Sequence, residues 1–264
     1  MNTVTRVAGF GIGLAMAGID SDGPPARGEG VVSSVDGYRL VPAATALEAG
    51  GGNFNFVIRG RDEAPVTRFA LSHERQLHLI VVSRELTSYH HVHPTLAADG
   101  TWSVPLPSLP PGSYRAVADF RVAGGPALAL GVDLGVAGSC QPSAIPAPAP
   151  DFSVDGYDVS IGAAPAAAGE TTFALTVRRG GAPVTDLRPY LGASGHLVAI
   201  RLGDLAYAHV HPLAYAGGAV TFAATLPTAG RYRLFFDFQH GDVVRTASFT
   251  YDQGPVAPAS SSEH

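Results

Sequence analysis

The phrase His-Val-His-Pro occurs twice in this chain, as His91-Val92-His93-Pro94 and, 118 positions later, as His209-Val210-His211-Pro212. The same offset carries Ala64-Pro65-Val66-Thr67 onto Ala182-Pro183-Val184-Thr185, His78 onto His196, Tyr114-Arg115 onto Tyr232-Arg233, and Asp119-Phe120 onto Asp237-Phe238. One constant offset means two copies of one domain with almost no insertion or deletion between them. Its length is that of a domain, far beyond a solenoid repeat. The chain must therefore fold twice into one shape, and 264 residues suffice for two cores.

The shape is legible in short alternating segments. Phe54-Asn55-Phe56-Val57-Ile58 and its counterpart Phe173-Ala174-Leu175-Thr176-Val177 have the period of two expected of strands. His78-Leu79-Ile80-Val81-Val82 and His196-Leu197-Val198-Ala199-Ile200 are apolar runs that suit buried strands. High glycine (32) and proline (21) favour a turn-rich all-β protein. Gly112-Ser113-Tyr114 and Gly230-Arg231-Tyr232 each precede an alternating strand, the pattern of the tyrosine corner in immunoglobulin-like sandwiches. The expected fold is all-β, two tandem immunoglobulin-like β-sandwich domains related by internal duplication.

The expected organisation is a leader and spacer (1–30), a first sandwich (31–137), a Pro/Ala-rich linker (138–150), a second sandwich (151–251) and a flexible tail (252–264). Arg6 followed by an apolar stretch over 7–19 and Ala15-Met16-Ala17 has the form of an export signal. The expected location is thus secreted or associated with the cell envelope. The stretch is short for a bilayer span, so membrane association would run through it alone. All 17 basic residues are arginine, the net charge is −5 and no basic stripe forms, which argues against nucleic acid as a partner.

Chemistry concentrates in the histidines. His91 and His93 project from the same side of a strand, and His78 opens the strand before them. Asp119 lies on the strand after the tyrosine corner, on the face of Arg115 and Val117. A pair between Asp119 and Arg115 is the simpler assignment for that carboxylate. His196, His209, His211 and Asp237 repeat the set. Each set suits Cu(II) or Zn(II), with three imidazoles as ligands. The aspartate would be either a fourth ligand or an outer partner that fixes an imidazole tautomer. Cys140 falls in the linker and the methionines, Met1 and Met16, in the leader, so thiolate and thioether sites are excluded. His73 and His240 have no counterpart in the other copy and are possible extra ligands, although His240 also reads as part of a hairpin turn.

Three readings stay open: a binding protein with one ion per domain, a metal-dependent enzyme with an open three-histidine site, and a metal-free interaction module. Tyr89 and Tyr207, two residues before each His-Val-His, are either outer-sphere groups or packed aromatics.

The runs His78-Leu79-Ile80-Val81-Val82, Asp99-Gly100-Thr101-Trp102-Ser103-Val104 and Gly112 to Phe120, with the His-Val-His-Pro core, resemble secreted or membrane-anchored tandem Ig-like proteins of GC-rich bacteria. More distantly they are similar to copper-handling domains of the copper-resistance and YtkA-like kind. The resemblance implies an exported metal-handling role, with a metal ion and an envelope metal-transport or acceptor protein as partners.

Overall fold

The computed structural model describes residues 27–165, 170–208, 210–226 and 228–255. The export-signal reading of the leader lies outside them, as does all but the start of the tail. The first domain contains β1 (Ser34–Val35), β2 (Tyr38–Pro42), β3 (Ala46–Leu47), β4 (Gly52–Arg59), β5 (Phe69–Ala70), β6 (Leu77–Ser83), β7 (Tyr89–Val92), β8 (Thr95–Leu96), β9 (Thr101–Leu106), β10 (Gly112–Val122) and β11 (Ala127–Val136). The second contains β12 (Asp151–Val154), β13 (Tyr157–Pro165), β14 (Glu170–Arg179), β15 (Ala182–Pro183), β16 (His196–Arg201), β17 (Tyr207–Ala208), β18 (Val210–Ala216), β19 (Ala219–Thr225), β20 (Gly230–His240) and β21 (Val243–Gln253).

Each domain is a sandwich of two sheets. In the first, β1-β2-β4-β9-β8 faces β3-β11-β10-β6-β7. In the second, β12-β13-β14-β19-β18 faces β17-β16-β20-β21. Phe54, Phe56, Ile58, Trp102 and Val104 from one sheet meet Leu79, Val81, Tyr114, Ala116 and Ala118 from the other. Phe173, Leu175 and Phe222 meet Leu197, Tyr232, Phe236 and Phe238 in the second copy. Both tyrosine corners form. Tyr114 donates its hydroxyl to the Pro110 carbonyl at 2.7 Å and Tyr232 to the Thr228 carbonyl at 3.0 Å.

The two sheets of a domain differ in what covers them. In β4, buried side chains alternate with partly exposed ones, as on a half-solvated sheet. Every residue of β6 is buried. Leu77, Leu79 and Val81 enter the first core, while Ile80 and Val82 enter a separate cluster with Leu86, Val117, Ala129, Val198, Ile200, Leu205 and Phe235. That cluster lies between the domains, so the sheet containing β6 packs face to face with the sheet containing β16. The apolar runs read as buried strands are buried on both faces for this reason.

Polar contacts seal the same interface. Tyr89 donates to Asp237 at 3.2 Å and Tyr207 to Asp119 at 2.8 Å. The buried Arg233 donates to the Leu86 carbonyl at 3.3 Å. Two segments read as spacer and linker are docked on the domains. Arg27 and Gly30 donate backbone hydrogen bonds to Ala127 and Ala129, and Glu29 accepts one from Tyr207 in the other domain. A Cβ on Gly131 would stand 1.8 Å from the Gly30 oxygen, so this close approach requires glycine. In the linker, Pro146 accepts from the Thr250 hydroxyl and Pro150 from Ile161 N–H.

Candidate metal centre

The site starts from strand register. On the interdomain face, His78 of β6 stands opposite Asp119 of β10, and Ile80 stands opposite His91 of β7. Pro94, with no N–H to give the ladder, follows directly after His93, which lies just beyond the end of β7. In the second domain His196 of β16 stands opposite Asp237 of β20. Because the two sheets face each other, these rows meet.

The imidazoles of His78, His91 and His93 converge. One ligand-capable atom from each lies within 4.8 Å of the others. Their ring centres are 5.2 Å apart for His78–His91, 5.1 Å for His78–His93 and 4.8 Å for His91–His93. With nitrogens about 2.0–2.1 Å from a four-coordinate ion, two bound imidazole centres stand about 5 Å apart. The triad therefore has the spacing of a ligand set.

Hydrogen bonds fix which nitrogen faces inward. His78 Nε2 lies 3.0 Å from the Ser72 carbonyl, which can only accept, so Nε2 carries the hydrogen and Nδ1 presents a lone pair. His91 Nδ1 donates to Asp237 Oδ2 at 2.9 Å, which leaves a lone pair on Nε2. Those two inward atoms, His78 Nδ1 and His91 Nε2, are 3.0 Å apart. His93 Nε2 is buried and has no hydrogen-bond partner among the described residues. Burial, reinforced by His91, holds His78 near a pKa of about 4 and His93 near about 3. Both are neutral at physiological pH.

Asp237 belongs to the second domain and serves a histidine of the first. Its other oxygen accepts from the Thr246 hydroxyl at 2.6 Å, and Tyr89 donates to the same oxygen as His91. The Tyr89 ring stacks on Phe235 at 4.1 Å, so this tyrosine is both a packed aromatic and a donor to Asp237. Burial and the neighbouring Asp237 push its phenol well above the ordinary range.

The other sequence candidates fall as follows. His196, 8% exposed, joins the same cluster, with ring centres 6.3 Å from His78 and 6.1 Å from His91. Burial, and next His91, hold it near a pKa of about 3. His73 sits in a two-residue turn in which Ser72 and Arg75 exchange backbone hydrogen bonds. Its φ of 46° is in the left-handed region and its ring lies 5.1 Å from His196. Asp119 accepts from the Tyr207 hydroxyl, while Arg115 pairs with Asp133 at 3.4 Å. His240 is away from the cluster, bonded to the Tyr157 hydroxyl at 2.7 Å and 3.2 Å from Asp186. His209 lies outside the described residues, and of His211 only the backbone on β18 is described. Sequence reasoning missed Thr246 and the Ser72 and Tyr190 carbonyls, whose roles arise only in three dimensions.

A family model for a domain of unknown function, DUF8832, matches residues 33–133 and again 152–254. The chain belongs to the DUF8832 family. The two DUF8832 segments correspond to the two sandwiches. No curated protein matches the chain. Among solved structures, a DUF4426 family protein from Pseudomonas aeruginosa PAO1 is 11% identical, with 40% of this chain and 98% of that chain covered and a TM-score of 0.33. Invasin, a bacterial integrin-binding protein, is 13% identical over 83% of this chain and 40% of its own, with a TM-score of 0.26. A putative membrane anchored protein from Corynebacterium diphtheriae is 11% identical over 85% and 60%, with a TM-score of 0.25.

Proposed function

We propose that this protein is an exported metal-binding module that holds Cu(II) or Zn(II) on His78 Nδ1, His91 Nε2 and His93 Nε2, for buffering or delivery in the cell envelope. The observation that carries the reading is the 3.0 Å contact between two inward nitrogens whose hydrogens are committed elsewhere. When both rings are neutral their lone pairs face each other, and a cation between them, whether a metal ion or a shared proton, relieves that repulsion. The buried His93 Nε2, with no hydrogen-bond partner among the described residues, offers a third ligand atom and makes a metal a better fit than a shared proton. An imidazole oriented by a carboxylate, as His91 is by Asp237, is the usual outer arrangement of a metal-binding histidine. Nitrogen-only ligands of this kind suit Cu(II) and Zn(II).

The test is elemental analysis of untagged protein after copper or zinc reconstitution and desalting. The expected result is retention of metal at this cluster, lost in His91→Ala/His93→Ala. Equal metal content in wild type and the double variant overturns the assignment.

A further inference from the structure

We infer that His196 of the second domain is a fourth ligand of the same ion, so that the metal fastens the two sandwiches together. This rests on the three-histidine site above and adds a residue that the mutual 4.8 Å grouping does not contain.

The duplication supplies the argument. His78 and His196 are counterparts, each opposite an aspartate across a strand pair, Asp119 and Asp237 respectively. Each gives its Nε2 hydrogen to the carbonyl six residues earlier. The acceptor is Ser72 at 3.0 Å for His78 and Tyr190 at 2.8 Å for His196. Both carbonyls open equivalent two-residue turns, Ser72 to Arg75 and Tyr190 to Ala193. His196 Nδ1 is thereby left as the acceptor nitrogen, as in His78.

Both rings stand on the faces that meet at the interface. The ring centres of His196 stand 6.3 Å from His78 and 6.1 Å from His91. Closing these two distances to the spacing of bound imidazoles takes about 1 Å. Asp237 already links His91 to β20, so both domains touch the ion's surroundings before it binds.

The experiment counts imidazoles on the ion. Pulsed electron paramagnetic resonance of the full chain with one equivalent of Cu(II) detects the remote nitrogen of each coordinated ring. The expected result is four imidazoles in wild type, three in His196→Ala and in the milder His196→Gln, and four in His73→Ala. The expected metal-dependent rise in Tm is smaller in both His196 variants. Three imidazoles in wild type, unchanged in the His196 variants, overturns this inference and leaves the three-histidine site standing. Loss of a ring in His73→Ala with none lost in the His196 variants overturns it in favour of His73. Absence of any bound Cu(II) in wild type overturns the site and this inference together.

Discussion

The two copies of the histidine corner began alike and now do different work. In the first domain Tyr89 and His91 reach across to the same carboxylate, Asp237, which Thr246 also holds. In the second, Tyr207 reaches back to Asp119. The turn ahead of His78 contains His73, where the equivalent turn ahead of His196 contains Leu191. Duplication thus supplied two matching faces, and their packing sets Asp237 and His196 of the second beside the His78, His91 and His93 triad of the first.

The comparison is broken most sharply by removing ligands. His91→Ala/His93→Ala is expected to weaken Cu(II) or Zn(II) binding by more than about 100-fold, since losing an outer partner alone costs about 10–100-fold. Competition against a chelator of known affinity measures it.

Next in size is the contrast between the aspartates. Asp237→Asn removes the charged acceptor of His91 and is expected to weaken binding about 10–100-fold, while Asp119→Asn changes it by less than about 3-fold. Equal effects in the same chelator competition would erase the asymmetry between the copies.

Acid tests both domains together. His78, His93 and His196 have folded pKa values lowered to about 4, 3 and 3, mainly through burial. The unfolded chain binds protons below about 6.5 that the folded chain refuses. Stability of the metal-free protein is therefore steady above that pH and falls as pH drops from about 6.5 toward 3. Urea midpoints across this range check it, and His196→Phe should flatten the fall.

The smallest expected effects are those of the tyrosines. Tyr89→Phe and Tyr207→Phe each lose a hydroxyl-to-carboxylate bond across the interface, at a cost of about 1–3 kcal/mol in denaturant unfolding. Metal affinity should change slightly in Tyr89→Phe and not in Tyr207→Phe.

Much of this was legible in the residues. Alternation in Phe54–Ile58 and the Gly-x-Tyr corners specify sandwiches because their physics is local. The His78, His91 and His93 grouping was legible too, since β6 and β7 are neighbours in sequence. What was not legible is the pairing of domains, which brings Asp237 to His91 and His196 to His78. Its trace was present in Ile80 and Val82, apolar residues on the same strand face as His78. A sheet with solvent on that face would carry polar residues there.

The most direct measurement of the central claim is an anomalous-scattering map from crystals of the zinc-loaded chain. The account predicts a strong peak about 2.0–2.1 Å from His78 Nδ1, His91 Nε2 and His93 Nε2. Zinc bound elsewhere, with the three imidazoles uncoordinated, would contradict it.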